Sequence, residues 1–122
     1  MRWTSSDGRA WAEITTMPGC PAICIFHAAF VAEGVRHKGI GTRAHHERLL
    51  AARAMGYQMA ICTIDKANGH QYKILNKFKW QVGNISYNPA TGHGISIMMR
   101  DLYNIPPLTK SKPDSASEAG SC

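Results

Sequence analysis

Residues 22–43 constrain this chain more than any other stretch. AICIFHAAFVA, residues 22–32, is apolar except for His27 and Glu33 follows it; RHKGIGTR, residues 36–43, comes next. An apolar run without alternation reads as a central strand covered on both faces. The residues beyond, Ile40–Met55, read as a helix that stops at Gly56, a C-terminal cap. Ile40, Ala44, Ala51, Ala52 and Met55 share its apolar face, and Arg48 interrupts that face. The chain thus passes from a buried strand into a helix through two glycines set among Arg36, His37, Lys38 and Arg43.

A turn needs only one glycine. The first amides of a helix have no acceptor inside it, and the macrodipole adds partial positive charge there. Glycines at 39 and 41 remove side chains that would hold an anion away, so the backbone can cradle a pyrophosphate. The same residues also suit a plain glycine turn with solvated cations.

The remaining punctuation sets the order of elements. Arg2–Ser6 and Ala10–Thr16 flank SDGR, a hairpin signal. Tyr57–Ile64 reads as a second buried strand. Asn68–Phe78 reads as a shorter helix, with Gln71, Ile74, Leu75 and Phe78 on one side and His70, Lys73 and Lys77 on the other. Val82–Tyr87 and Gly94–Leu102 read as strands around NPATGHG. The expected order is β-β-β-α-β-α-β-β, an α/β chain with a mixed sheet and helices on its faces. A dinucleotide-binding fold is not supported: the glycines are not spaced G-x-G-x-x-G, and no acidic residue ends the next strand where one is required. With 122 residues the chain makes one domain, expected over residues 1–104, followed by a mobile tail, IPPLTKSKPDSASEAGSC, at 105–122.

The net charge of +6 favours anionic partners, nucleic acid among them. No run of eighteen apolar residues indicates a membrane span, and MRWTSSDGRAW lacks a signal-peptide layout, so a cytoplasmic protein is expected. Cys20, Cys24, Cys62 and Cys122 show neither zinc-finger spacing nor the density of a disulfide scaffold, and no metal is expected.

Arg36-x-x-Gly39-x-Gly41, after a strand and opening a helix, resembles the acyl-CoA-binding motif of the GCN5-related N-acetyltransferase (GNAT) superfamily. A second resemblance follows. The family often carries an Asn at the next helix start, a Tyr seven positions on, then Gly-Phe; here Asn68 stands first, Leu75 takes the tyrosine position, and Lys79 and Trp80 the other two. The resemblance covers residues 2–102 and implies an N-acetyltransferase in which an acceptor amine attacks the thioester of acetyl-CoA, or another acyl-CoA, directly. It implies that Val31 and its neighbours pair with the pantetheine arm and that a backbone amide near Phe30, Val31 or Ala32 stabilises the oxyanion. The pyrophosphate would rest on amides of His37, Lys38, Gly39, Ile40, Gly41 and Thr42, with Arg36 beside them, and Asn68 would meet the pantetheine end.

His27, the one ionisable group in its strand, is the first candidate for the base that takes the amine proton, with Glu33 second; a hydrogen-bonded core histidine is the plainer reading of His27. The family usually begins with another strand and two helices that wall the acceptor site. This chain starts at the hairpin, which implies either an open acceptor side that suits a large substrate or a second subunit that completes it, and a homodimer or other oligomer is expected. Without a phenol at position 75, a catalytically inactive GNAT-fold binding module, nucleic-acid associated, is the alternative.

Overall fold

The computed structural model describes residues 1–31 and 39–108, and of residues 28–31 the backbone alone. Eight elements follow in the expected order: β1 (Arg2–Thr4), β2 (Ala10–Met17), β3 (Cys20–Val31), α1 (Ile40–Ala54), β4 (Met59–Asp65), α2 (Gly69–Lys77), β5 (Gln81–Asn88) and β6 (His93–Asp101). The strands form one sheet ordered β1-β2-β3-β4-β6-β5, in which β3 and β4 are parallel and every other neighbouring pair is antiparallel. The mixed α/β architecture is the one expected.

Both helices lie on the same face, for a topological reason. The connections β3-α1-β4 and β4-α2-β5 each join parallel strands and step across the sheet in the same direction. Right-handed crossovers then deliver both helices to one side. Register shows which residues meet them: Ile14 is opposite Phe26, Cys24 opposite Ala60, and Cys62 opposite Met98. These positions are buried with Leu49 and Ala52 of α1, Ile74 and Leu75 of α2, and Phe78 and Trp80 beyond it, in one core.

The alternate positions behave differently. Ile23, Ile25, Met59, Ile61, Ile97 and Met99 are half-buried, and His27 and Thr63 are exposed. The expectation that β3 is covered on both faces is therefore corrected: among the described residues, helices cover one. The apolar run hid its alternation because Ile23 and Ile25 point away from the helices and are as apolar as the residues that point toward them.

In α1 the predicted glycine cap is present. Gly56 has φ 99°, its N–H donates to the Arg53 carbonyl at 3.0 Å, and the Tyr57 N–H donates to the Ala52 carbonyl at 3.2 Å. That pair closes the last turn. The buried stripe differs from the one expected. Met55 sits at the cap and is exposed, Ala51 is half-buried, and Thr42, His45 and Arg48 are buried beside Ile40, Ala44, Leu49 and Ala52. His45 is held in the core by the Trp80 indole, whose Nε1–H donates to Nε2 at 2.9 Å.

α2 keeps its expected pattern, with Ile74, Leu75 and the capping Phe78 buried, and the Asn68 side chain accepts the Gln71 N–H at 3.1 Å as N-cap. Residues 105–108, read from sequence as tail, keep Ile105 and Leu108 packed on the core, while the Arg100 guanidinium donates to the Phe78 and Asp101 carbonyls. The rest of the expected tail lies outside the described residues. Among those described, no helix is long and apolar enough to cross a membrane.

Candidate active site

β3 and β4 pair at only three positions, Ile23 with Met59, Cys24 with Ala60 and Ile25 with Ile61. Both strands run on past these pairs. β4 stays bonded to β6 as far as Asp65, and β3 stays bonded to β2 as far as Val31. Each strand is thus held on its outer edge while their inner edges separate. A register shift contributes to this: Trp11 faces Phe30 but Glu13 faces His27, so β3 carries one extra residue there. A bulge of this kind bends its strand and re-aims the side chains beside it.

The opening is a cleft of about 180 Å³. Its helix-side wall is Phe26, Arg48, Cys62, Ile64, Gln71 and Leu75; His27, Thr63 and Asp65 stand on the side away from the helices. Asn68, at the α2 N-terminus, also borders it. A wider hollow lies between Met59, Gln81 and Tyr103 at the far end of the sheet, away from the glycine turn.

His27 is exposed, not a core residue, and its Nε2 is 2.7 Å from the Thr15 hydroxyl. That bond steadies the ring at the cleft rim. Opposite, the Asp65 carboxylate accepts the Ala67 N–H at 2.8 Å and pairs with His93 Nδ1 at 3.0 Å. Those two bonds, the amide first, lower its pKa.

Behind the cleft the electrostatics are unusual. Arg48 is only 5 % exposed, and its guanidinium carbon sits 4.3 Å from the centre of the Phe26 ring. Its Nη1 is buried without a hydrogen-bond partner. Burial lowers its pKa to about 10, which leaves it charged at neutral pH. The thiols near it stay protonated, since burial pushes Cys24 up to about 11 and Cys62 to about 12. His45 stays neutral, its pKa held well below 6.5 by burial and then by the Arg48 charge.

The two glycines of the turn have separate causes. Gly39 is the α1 N-cap at φ 74°, a left-handed conformation that favours glycine, and no side chain caps the helix. Gly41 lies inside α1 and is not among the positive-φ glycines, so backbone conformation does not demand it. The first turn holds no acidic residue, and the first bond back to the cap is the Arg43 N–H to the Gly39 carbonyl at 3.0 Å. The amides of Ile40, Gly41 and Thr42 precede it.

The structure thus brings His27, Asn68 and the α1 N-terminus to one end of the sheet around the splayed strands. Phe30 and Val31 contribute backbone to β3; Ala32, Glu33, Arg36, His37 and Lys38 lie outside the described residues. Sequence reasoning missed Arg48 and the Asp65–His93 pair. The signal for Arg48 was its intrusion on an otherwise apolar helix face. Nothing local pointed to Asp65 and His93, which are 28 residues apart in the chain.

No family model and no curated protein matches the sequence. Solved structures do match it. A GCN5-related N-acetyltransferase from Kribbella flavida aligns with a TM-score of 0.68 at 18% identity, over 80% of this chain and 64% of its own. The yncA protein from Salmonella typhimurium, solved with its cofactor acetyl-CoA, aligns with a TM-score of 0.67 at 14% identity, over 84% and 63%. The ribosomal-protein-S18-alanine N-acetyltransferase from Escherichia coli aligns with a TM-score of 0.66 at 11% identity, over 93% and 74%. The chain spans about two thirds of the length of such structures. At these identities the likeness speaks for the fold alone: this chain has the fold of these N-acetyltransferase structures.

Proposed function

We propose that this protein is an acyl-CoA-dependent N-acyltransferase, in the simplest case an N-acetyltransferase, that passes an acetyl group from acetyl-CoA directly to an amine. The observation that carries this reading is the meeting of the β3–β4 splay with an α1 N-terminus that has no side-chain cap and is opened by Gly41. Unpaired inner strand edges offer ladder partners to the amides of a pantetheine arm. Exposed helix amides suit its pyrophosphate. The fold shared with yncA, which was solved with acetyl-CoA, supports the same co-substrate.

In this reading the pyrophosphate rests on amides of residues 37–42, near Arg36, Lys38 and Arg43. The arm descends between β3 and β4 past Asn68, and an amide near residues 30–32 faces the carbonyl oxygen. The amine arrives on the side away from the helices, where His27 stands. His27, or Glu33 in its place, takes the proton as the nitrogen attacks. The acceptor is left undefined by these residues.

Calorimetry with CoA and a thiol-release assay with acetyl-CoA and a panel of primary amines test this. The expected result is saturable CoA binding and amine-dependent thiol release. Absence of CoA binding would overturn the reading. Binding without release for any amine would favour the alternative of a non-catalytic module, to which the leucine at position 75 points.

A further inference from the structure

We infer that Arg48 is the group that stabilises the departing CoA thiolate, in place of an acid that would protonate it. The inference rests on the acyltransferase reading above and adds a residue to it.

Arg48 stands at the back of the cleft with its guanidinium stacked on Phe26 and Nη1 buried without a partner. Among the described residues no carboxylate pairs with it. Its titratable neighbours do not neutralise it, because Cys24 and Cys62 are held as thiols and His45 as neutral imidazole. Among the described residues the only carboxylate on the cleft lining, Asp65, stands on the opposite side and is engaged by Ala67 and His93. A desolvated cation is costly, and with no counter-charge among the described residues Arg48 places a fixed positive potential beside the cavity.

The two sides of the cleft therefore differ in kind. The rim away from the helices carries the proton acceptor, His27. Among the described residues the helix side carries a cation and no group that is an effective acid near neutral pH: Leu75, Phe26 and Ile64 are apolar, Gln71 is an amide, and burial makes the Cys62 thiol a weaker acid than a free thiol. An amine entering on the His27 side attacks the thioester carbonyl carbon from that side. The C–N bond forms, the C–S bond breaks, and its electron pair goes to sulfur. The ammonium proton passes to His27. Sulfur leaves as a thiolate on the helix side, within the field of Arg48, and solvent supplies its proton after release. Negative charge on sulfur exists in the transition state and product but not in the thioester, so Arg48 lowers the barrier without tightening ground-state binding.

The test is a titration of CoA bound to the full chain, following thiolate absorbance in the ultraviolet against a blank with desulfo-CoA, which lacks the sulfur. Wild type is compared with Arg48→Lys and Arg48→Met; methionine keeps an unbranched apolar side chain against Phe26. In wild type the bound thiol should deprotonate about one pH unit or more below a free thiol, whose pKa is about 8.5. In Arg48→Met that shift should vanish, and in Arg48→Lys it should be partly kept. Turnover of Arg48→Met should fall about 10²-fold, with the KM for acetyl-CoA within about threefold.

A bound thiol that titrates alike in wild type and Arg48→Met would leave Arg48 a packing residue on Phe26 and overturn the inference. Should Arg48→Met not fold, the wild-type titration decides by itself, because an unshifted bound thiol is already a refutation. A wild type that fails to bind CoA brings down the acyltransferase reading; one that binds CoA with an unshifted thiol brings down only the role of Arg48.

Discussion

Met98 and Met99 are neighbours in β6, opposite Cys62 and Ile61 of β4. Met98 is fully buried in the core, whereas Met99 is half-buried on the face that no described helix covers. The same contrast runs through every central strand: Cys24 and Phe26 against Ile23, Ile25 and His27, and Ala60 and Cys62 against Ile61 and Thr63. Both faces are rich in apolar residues, so hydrophobicity does not distinguish them. Packing does. One face holds the helices and hence the folding energy; the other is free of that duty at the cleft, where a polar residue such as His27 can stand without a desolvation cost.

The sharpest way to break this contrast is to truncate both methionines. Met98→Ala should cost about 2–5 kcal/mol, since it removes a side chain from a closed core. Met99→Ala should cost roughly 1 kcal/mol, a value typical of less buried positions. Urea denaturation of the two variants measures both, and equal losses would mean that the second face is as tightly covered as the first.

The cleft end should respond in function, not in stability. Gly41→Asp places a carboxylate at the amides proposed for the pyrophosphate and should weaken CoA binding by about 10²-fold, the scale of a few kcal/mol for juxtaposed like charges. Calorimetry reads this; unchanged affinity would move the phosphate site elsewhere. His27→Ala should lower turnover by about 10²-fold with CoA affinity kept, the usual worth of a general base. If its activity stays at the wild-type level, the base is Glu33 or water.

The buried side has its own pH signature. The folded-state pKa of His45 is held well below 6.5, so on acidification the unfolded chain takes up the proton first. Stability from this group is complete above about pH 6.5 and is lost progressively below it, down toward the folded-state pKa. The slope is up to about 1.4 kcal/mol per pH unit. His45→Gln, which keeps an acceptor for Trp80, should flatten that slope when urea midpoints are compared between pH 7.5 and 5.5. An unchanged slope would show that other groups govern it.

The smallest effect is expected at Tyr72, whose hydroxyl is hydrogen-bonded to that of the buried Ser96. Tyr72→Phe should leave turnover within about threefold and cost about 1 kcal/mol for the orphaned Ser96 hydroxyl. A large loss of turnover would instead make Tyr72 the acid that position 75 lacks, and would tell against Arg48.

The positions where sequence reading succeeded share a physical trait: the signal is local. Gly56 announces the end of α1 because a left-handed residue is needed within one turn of the last helical carbonyls. Asn68 announces α2 because its side chain bonds an amide three residues on. The alternation of Ile74, Leu75 and Phe78 is a property of one helix. Where the reading failed, the cause was distant in the chain. Met55 was placed in the core by periodicity, but the cap turns it outward. Arg48 and His45 are buried by Phe26, Trp80 and the thiols of two strands, which no window around residue 48 contains.

The order of strands and helices, the strand–glycine–helix turn and the expectation of an anionic group at that turn were thus set by the sequence itself, because each depends on dihedral preferences and on contacts within a few residues. The tertiary structure alone decided which face the helices cover, since that follows from the handedness and direction of two crossovers. It also decided that β3 and β4 part after three pairs and that the Arg48 guanidinium lies behind the opening with its Nη1 unpartnered among the described residues, because both depend on residues brought together only when the sheet closes around them.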